Sequence, residues 1–226
     1  MDWNNDGKKD LIAGDTEGKV TLFLNIGTQE KPKLGKGKLV EADGKPITAK
    51  RTIFKKVGGK FSVVDKTIPG SHKLAERYSK IHMADWDGDG LKDLLVGHNH
   101  NIILYKNVGT RSAPRFKAPI PITIPEGKFP LRPSPYVIDW DGDGKKDLLV
   151  GCEDPKVCFY RNIGTNKKPQ LAKGKALDLK GPGSNAGYRW RIDVTDWNND
   201  EKKDLLVGNF YGGRKAGGNV WLFLGK

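Results

Sequence analysis

Short apolar runs of four or five residues recur along the whole chain, separated by glycine-rich turns and by acidic segments. For example, Tyr136–Ile138 precedes an acidic segment, Leu148–Val150 follows it, and Val157–Arg161 comes after a further turn. Even spacing of short apolar and β-branched runs between Gly turns predicts an all-β fold. No run approaches the roughly 20 apolar residues that a transmembrane helix needs, so the sequence predicts no membrane span.

One segment of the chain occurs four times. It begins with Asp-Trp, runs through an acidic loop and ends with Asp-Leu-[Leu/Ile]-[Val/Ala]-Gly, and its copies span residues 2–14, 85–97, 139–151 and 196–208. The first three copies are followed by Asn-[Ile/Val]-Gly-Thr, at residues 25–28, 107–110 and 162–165. Four strands in a unit of about 55 residues predict the blades of a β-propeller. The units of this single repeat domain are predicted at 1–45 (with an insert at 46–75), 76–130, 131–185 and 186–226.

The pattern also predicts where the strands and the core lie. A third strand is expected in each unit, at 20–24, 102–106, 157–161 and 220–224, and a weaker fourth strand at 121–124. Leu-Leu-Val is apolar on both faces, as in a strand covered on both sides. The tryptophans that follow the leading Asp are expected in the core between blades; these are Trp3, Trp86, Trp140 and Trp197. In the insert, residues 53–64 predict a hairpin that turns at Gly58 and Gly59.

The first and last units are shorter than the others. The first lacks an apolar run before its acidic loop, and the fourth lacks one after its third strand. A propeller of about four blades therefore either closes by sharing its terminal strands or stays incomplete. Exposed strand edges recruit other chains, so self-association into an oligomer or filament is a further hypothesis.

The acidic loops follow the pattern Asp-x-[Asp/Asn]-x-Asp-Gly-x-x-Asp, which predicts calcium sites. Oxygen side chains occupy positions 1, 3, 5 and 9, a backbone carbonyl is available at position 7, and Gly at position 6 permits a sharp turn. Calcium takes six to eight hard oxygen ligands, whereas magnesium demands stricter octahedral geometry. The loop differs from an EF-hand because position 12 is apolar, so the Asp at position 9 is expected to ligate directly and through both oxygens.

The expected ligands of up to four Ca²⁺ ions follow directly from this pattern. They are Asp2, Asn4, Asp6, Lys8, Asp10; Asp85, Asp87, Asp89, Leu91, Asp93; Asp139, Asp141, Asp143, Lys145, Asp147; and Asp196, Asn198, Asp200, Lys202, Asp204, with Lys8, Leu91, Lys145 and Lys202 ligating through their carbonyl oxygens. Four solvated acidic turns without metal are the alternative, but their carboxylates would then repel one another without compensation. The fourth loop departs from the pattern, since Glu201 replaces Gly and Asn198 replaces Asp.

With these motifs the sequence resembles the FG-GAP/VCBS family of calcium-binding β-propeller repeats, which also form the head of integrin α-subunits. The resemblance covers all four units and leaves out about residues 45–75. It implies a calcium-binding propeller and an extracellular, cell-surface or periplasmic location. The family includes adhesion proteins, secreted binding modules and domains attached to polysaccharide-degrading enzymes, so it implies several functions. The polar residues that follow Met1 are not expected to form a signal peptide.

The net charge of +13 points to an anionic partner. About half of the acidic residues lie in the four loops, so metal binding would leave a strongly cationic surface. Residues 31–60 hold ten bases against Glu41 and Asp43, and their best candidates for a polyanion contact are Lys50, Arg51, Lys55 and Lys56. An acidic polysaccharide or acidic protein is the expected partner; a flexible, solvated basic loop is the alternative. Nucleic acid could bind only through non-specific attraction to phosphate, so specific nucleic-acid binding is not expected.

Two cysteines and two histidines complete the candidates. Cys152 and Cys158 flank a short turn and could form a disulfide, or they could pack as two separate small core residues. His98 and His100 are expected in an exposed turn. Catalytic motifs such as Gly-x-Ser-x-Gly, His-Glu-x-x-His and the P-loop do not occur in the sequence. A non-enzymatic binding propeller is therefore the first hypothesis, with the propeller domain of a polysaccharide-active enzyme and a self-assembling structural subunit as alternatives.

Overall fold

The computed structural model describes residues 1–48, 51–66, 78–179, 187–211 and 217–226, the hairpin at 51–66 by its backbone. Within these residues the chain consists of strands and turns and contains no helix. The prediction of an all-β fold is therefore confirmed. All the strand pairs are antiparallel.

Four sheets repeat one plan, and we call them the first to fourth repeat sheets. Each is built around the strand Asp-Leu-Leu-Val-Gly or its equivalent, which pairs with the strand after it and, where present, the strand before it. The strands are β1 (Leu11–Gly14), β2 (Val20–Phe23) and β3 (Lys38–Leu39); β8 (Lys80–Ala84), β9 (Asp93–His98), β10 (Asn101–Tyr105) and β11 (Ile120–Pro121); β12 (Ser134–Ile138), β13 (Asp147–Gly151), β14 (Val157–Tyr160) and β15 (Lys175–Ala176); and β16 (Tyr188–Thr195), β17 (Asp204–Phe210) and β18 (Val220–Phe223). The first and fourth sheets thus have three strands, and the second and third have four.

Two small hairpins lie between β3 and β8. One joins β4 (Glu41–Ala42) to β5 (Lys45–Pro46), and the other joins β6 (Arg51–Val57) to β7 (Lys60–Lys66). Gly58 and Gly59 both have positive φ, at 57° and 81°, which is the backbone of a type I′ turn. The predicted hairpin is therefore present, with the turn at the predicted glycines.

The fourth strand is shorter than the sequence predicts. β11 pairs only Ile120 and Pro121 with β10, although the N–H of Ile122 still donates to Ile102 at 2.9 Å. Proline has no N–H to donate, and Pro119 and Pro121 remove two donors from this segment. The strand expected at 121–124 therefore begins one residue earlier and ends after two residues.

The described residues form two compact units. The first comprises Met1–Asp85, Gly90–Asn99 and Ile103–Pro121, and the second comprises Trp86–Asp89, His100–Ile102 and Ile122–Lys226. The core of the first unit contains Val20, Ile47, Leu94, Val96 and Tyr105, all of them fully buried. The core of the second is formed by Leu149, Val157, Trp190, Leu205 and Val207.

The central strands are buried on both faces, as predicted. Every residue of β9 and of β13 is buried, which explains why Leu-Leu-Val carries no polar alternation. Trp86 is buried, and Trp3 and Trp140 pack against the two cores, but Trp197 is 60% exposed. The core position predicted for Trp197 is wrong, because its neighbours in the described residues leave most of the indole uncovered. His98 is also misplaced by the sequence pattern, since it ends β9 and is fully buried.

A left-handed residue stands at the start of three repeat sheets. Tyr78, Arg132 and Arg189 have φ of 64°, 53° and 59°. Each lies two residues before the residue that pairs with the last glycine of the central strand; these pairs are Lys80 with Gly97, Ser134 with Gly151, and Arg191 with Gly208. No sequence motif marks this position, which the backbone repeats although the side chain varies.

Candidate metal centres

The acidic loops share one backbone conformation. The residues at positions 4 and 6 have positive φ in all four loops; they are Asn5 (58°) and Gly7 (82°), Gly88 (73°) and Gly90 (85°), Gly142 (77°) and Gly144 (83°), and Asn199 (58°) and Glu201 (64°). Gly adopts this conformation at no steric cost and Asn tolerates it, whereas it is unfavourable for Glu. The expected left-handed turn at position 6 is therefore present, including at Glu201.

The Asp at position 1 closes each turn. In the third loop Asp139 accepts the backbone N–H of Gly142 at 2.8 Å and that of Gly144 at 2.9 Å. Asp2 and Asp196 accept in the same way from positions 5 and 6 of their own loops, and Asp85 accepts from Gly90 at 3.2 Å. These bonds fold the loop around its first carboxylate, as in other Asx-type turns.

The Asp at position 9 connects the loop to the sheet. It is buried in every unit, and its two oxygens accept backbone N–H groups in the first, third and fourth units. In the third unit Asp147 accepts from Trp140 at 2.9 Å and from Asn162 at 2.7 Å. Each of these oxygens has a further lone pair, so the bidentate ligation expected from the sequence stays a prediction.

The Asn-[Ile/Val]-Gly-Thr motif is the other end of this connection. The side chain of Asn162 accepts from Gly164 at 2.9 Å and from Gln170 at 3.1 Å, while its backbone N–H donates to Asp147. Asn25 and Asn107 make the equivalent bonds, and all three are buried. In the fourth unit, which lacks the motif, Gly225 donates to Asp204 in its place, at 2.8 Å.

The residue after this motif contacts the end of the acidic loop. Gln29 accepts the N–H of Lys9 at 2.9 Å, and Asn166 accepts that of Lys146 at 2.8 Å. Arg111 donates to the carbonyl oxygen of Gly90 at 3.3 Å. Sequence reasoning missed this contact, because the side chain varies between units. It also missed position 4, where the restriction to Asn or Gly was a readable signal.

The structure brings the predicted ligands together in two loops. One oxygen each from Asp85, Asp87 and Asp89 lie within 4.8 Å of one another, and so do oxygens of Asp139, Asp141 and Asp147. Among the described residues no such three-carboxylate group forms in the first or fourth loop, which have Asn at position 3. Two clusters of carboxylates could therefore hold a metal ion.

The first loop also fits a cation. The Oδ1 atom of Asn4 is buried and accepts no hydrogen bond from the described residues, while its Nδ2 donates to Asp6 at 3.2 Å. A buried acceptor without a donor is costly. A hard cation between Asp2, Asn4 and Asp6 would satisfy this oxygen, which is the ligand type that calcium takes.

Two aspartates of the third loop have shifted pKa values, and a nearby arginine balances part of the loop's negative charge. Burial raises the pKa of Asp147, because the charged form loses water. The pKa of Asp143 is lowered, first by the backbone N–H of Lys145 and further by the side chains of Lys145 and Arg161. Arg161 lies 2.6 Å from Asp141 and 3.0 Å from Asp143, so a guanidinium partly neutralises the exposed side of the cluster.

The remaining predicted residues stand apart from these loops. Lys50, and the side chains of Arg51, Lys55 and Lys56, lie outside the residues that the structure describes. Cys152 and Cys158 are both buried thiols with Sγ atoms 3.8 Å apart, so they are neighbours without a bond between them. The contact with Cys158, together with burial, raises the pKa of Cys152. The disulfide, one of the two alternatives that the sequence leaves open, stays a prediction.

Comparison with known families places the chain. The model of the FG-GAP-like repeat matches residues 85–150 and 139–207, which together make up more than half of the chain. The protein belongs to the FG-GAP-like repeat family, as the resemblance of its sequence predicted.

Solved structures add a distant likeness. One chain in a structure of a mutant Tc holotoxin pore of Photorhabdus luminescens is 18% identical, with a TM-score of 0.43. The match covers 95% of the present chain but only 8% of the toxin chain. No protein with a curated description matches the sequence. In the described part of the chain there is no helix long and apolar enough to span a membrane.

Proposed function

We propose that this chain is a non-enzymatic, extracellular, calcium-binding domain of β-propeller type that binds an acidic polymer or an acidic protein partner. The observation that carries the proposal is the fourfold acidic loop, whose carboxylates converge within 4.8 Å in the second and third units. Oxygen ligands alone favour calcium over zinc or copper. Four such loops in one chain favour metal binding over solvated turns without metal, in which the carboxylates would repel one another.

The residues of each loop have distinct parts in this proposal. The side chains at positions 1, 3 and 5 and the carbonyl at position 7 would hold the ion, and the Asp at position 9 would add its carboxylate. Bound calcium supplies positive charge that relieves the repulsion between these carboxylates. The Asp at position 9 also accepts hydrogen bonds from the sheet. An ion that orders the loop would therefore also order the strands on either side of it.

The acidic partner is proposed from charge. With about half of the acidic residues held by metal, the rest of the surface is dominated by 40 Lys and Arg residues. Long-range attraction would then raise the local concentration of any polyanion. The basic segment at 31–60 remains one proposed contact, although its central side chains lie outside the described residues.

Thermal unfolding with and without calcium tests the metal proposal. A ligand that binds only the native state stabilises it by about 2.7 kcal/mol per site at 100 times Kd. We therefore expect EGTA to lower Tm by more than about 10 °C. Asp87→Asn together with Asp141→Asn should reduce the number of calcium ions bound in calorimetry. Asp178→Asn, an exposed Asp outside the loops, is the control; an unchanged Tm in EGTA would refute the proposal.

Retention on alginate tests the basic segment. Neutralising Lys50, Arg51, Lys55 and Lys56 to Gln should lower the salt concentration at which the protein elutes, since exposed charges are screened by salt. Neutralising Lys167, Lys168, Lys173 and Lys175 removes the same charge elsewhere and is the matched control. Equal loss of retention in the two variants would mean that net charge alone, and not this segment, determines binding.

A further inference from the structure

The side-chain amide of Asn166 holds a short segment of the third acidic loop from both sides. Its Oδ1 atom accepts the N–H of Lys146 at 2.8 Å, and its Nδ2 atom donates to the carbonyl oxygen of Gly144 at 2.9 Å. These two residues stand at positions 8 and 6 of the loop. One planar amide therefore fixes the backbone on either side of Lys145.

The residue between these two bonds, Lys145, stands at position 7. Its carbonyl oxygen is the one ligand that the loop pattern assigns to the backbone, and its N–H donates to Asp143 at 2.9 Å. Calcium affinity depends on the rigidity of the site as well as on ligand charge. Groups that orient the ligands of a metal typically contribute about 10–100-fold to its affinity. The amide of Asn166 is such a group for the carbonyl at position 7.

The equivalent residues of the first two units contact the same segment of their own loops. Gln29 accepts the N–H of Lys9 at position 8, at 2.9 Å, and Arg111 donates to the carbonyl oxygen of Gly90 at position 6, at 3.3 Å. Asn166 makes both of these bonds with one side chain. Three different side chains thus act on the same part of the loop, which indicates that the contact belongs to the repeat.

Asn166 also lies against the second acidic loop. A Cβ atom on Gly88 would be 3.4 Å from the Cβ atom of Asn166, so the side chain packs directly against this turn. Gly88 has φ of 73° and stands at position 4, between Asp87 and Asp89, which both belong to the carboxylate group of the second loop. Residues 86–89 and Asn166 lie in the same compact unit.

Asn166 is therefore in contact with two candidate calcium loops at once. When the second loop is occupied, Gly88 would be held in place against Asn166; when the third is occupied, the segment bonded to its amide would be held. In either case the loop that fills later meets a side chain that is already ordered. Such shared ordering produces positive cooperativity without a change of fold, and coupling between two sites is reciprocal.

We propose that Asn166 is a positioning residue for calcium, which holds the carbonyl of Lys145 in place in the third loop and couples binding there to the second loop. The two loops then fill with positive cooperativity. Asn166 contributes no ligand atom, because its Oδ1 and Nδ2 atoms are both engaged by the backbone. The inference rests on the proposed calcium binding and goes beyond it in assigning how two sites depend on each other.

Calcium titration of the full chain by heteronuclear NMR tests this inference, because a glycine N–H reports on each loop separately. The N–H of Gly90 donates to Asp85 at 3.2 Å in the second loop, and that of Gly142 donates to Asp139 at 2.8 Å in the third. The midpoint of each signal in a chelator-buffered titration gives the affinity of its own loop.

Removal of the amide should weaken both loops. Asn166→Ala should lower the calcium affinity of the third loop about tenfold and that of the second loop about fivefold. Gln170→Ala is the matched control, since it shortens an exposed amide side chain in the same turn and keeps the backbone N–H that donates to Asn162. It should leave both midpoints unchanged.

A double-mutant cycle separates coupling from a local loss of structure. Asp87→Asn weakens the second loop by removing a ligand charge. In the natural sequence we expect it also to weaken the third loop about fivefold, at a salt concentration that screens direct interaction between the loops. In the Asn166→Ala background this effect on the third loop should disappear. If Asn166 only supported the turn, Asp87→Asn would have the same effect on the third loop in both backgrounds.

Amide exchange in EGTA adds a readout that needs no metal. The Lys146 N–H should exchange faster in Asn166→Ala than in the natural sequence, because its acceptor is gone. Asn166→Gln introduces the residue of the first unit, which bonds to position 8 there. It should lie between the natural sequence and Asn166→Ala both in exchange and in third-loop affinity, and it keeps the test decisive if Asn166→Ala does not fold.

The outcomes separate this inference from the calcium proposal. Calcium binding with the same midpoints in the natural sequence and in the Asn166 variants, or an equal response to Gln170→Ala, would overturn this inference alone. Persistence of the Asp87→Asn effect on the third loop in Asn166→Ala would overturn it as well. Signals of Gly90 and Gly142 that do not respond to calcium would overturn both this inference and the proposed calcium binding.

Discussion

The carboxylate of Asp147 accepts the backbone N–H of Asn162 at 2.7 Å, and this bond joins the acidic loop to a turn 15 residues further along the chain. Its other oxygen accepts from Trp140 at 2.9 Å. Asp10 and Asp204 likewise accept a backbone N–H on each of their two oxygens, from different partners. The last Asp of each motif therefore supports the fold in addition to any part in metal binding.

Replacing Asp147 should therefore destabilise the protein even without metal. Asp147→Asn keeps one acceptor oxygen, so the buried N–H of Trp140 or of Asn162 loses its partner. An unsatisfied buried donor costs about 1–3 kcal/mol. Urea unfolding in EGTA should show a loss of that size in the free energy of unfolding.

Asp143→Asn is the matched control for this prediction. Asp143 is exposed, and its side-chain partners Lys145 and Arg161 are ion pairs at the surface. Such pairs contribute little to stability, so the variant should lower calcium affinity while leaving the metal-free stability nearly unchanged. If Asp143→Asn and Asp147→Asn destabilise the metal-free protein equally, then the two buried hydrogen bonds of Asp147 contribute no more to stability than the surface contacts of Asp143.

The sequence predicted the strands and the acidic loops because both repeat. Four copies reveal the left-handed turn at position 6, and they identify Glu201 as the exception before its φ of 64° is seen. The exposure of Trp197 was missed because the pattern marks a tryptophan as apolar but cannot show which neighbours cover it. The ion pairs of Glu153 with Arg132 and Arg189 were missed for a related reason. The three residues lie in separate segments, and the two arginines share a backbone position rather than a motif.

Cys152 and Cys158 provide a second prediction. Their Sγ atoms are 3.8 Å apart across the turn between β13 and β14, so a small rotation would allow a bond under oxidising conditions. A loop this short gains about 2 kcal/mol from closure in the chain-entropy model. Oxidised protein should lose two free thiols in a thiol assay and melt a few degrees higher than reduced protein. Cys158→Ser should abolish this difference in Tm. An equal Tm with and without dithiothreitol in the natural sequence would contradict the prediction.

Arg161 provides a third prediction, about competition with calcium. Its guanidinium lies 2.6 Å from Asp141 and 3.0 Å from Asp143, where it balances carboxylates that would ligate the ion. Arg161→Gln removes this cation and should raise the calcium affinity of the third loop about threefold or more at low salt. Arg161→Lys keeps the charge but loses the planar guanidinium. Its calcium affinity should lie between that of the natural sequence and that of Arg161→Gln. Calorimetric titration at two salt concentrations measures the effect, and a weaker site in Arg161→Gln would show that the arginine supports the loop instead.

The four loops should differ in calcium affinity, and the fourth should be the weakest. The second and third loops each have four carboxylates, whereas Asn4 and Asn198 reduce the first and fourth to three in the pattern. Ligand charge raises calcium affinity. The first loop has Gly7 at position 6, but the fourth holds Glu201 at φ 64°. The fourth loop therefore combines a low charge with an unfavourable backbone.

Relieving this strain should strengthen the fourth site. Glu201→Gly makes φ 64° accessible, and the roughly 1–2 kcal/mol cost of a left-handed non-glycine residue is partly offset by the greater freedom of Gly in the unfolded chain. We expect a net gain of about 0.5–1 kcal/mol in metal-free stability and tighter binding at Asp196–Asp204. Asn199→Gly, at φ 58°, is the control and should gain less, because Asn tolerates this conformation. Anomalous scattering during a calcium titration would show the order of filling; if the fourth loop fills before the second and third, then charge and turn conformation do not set affinity in this protein.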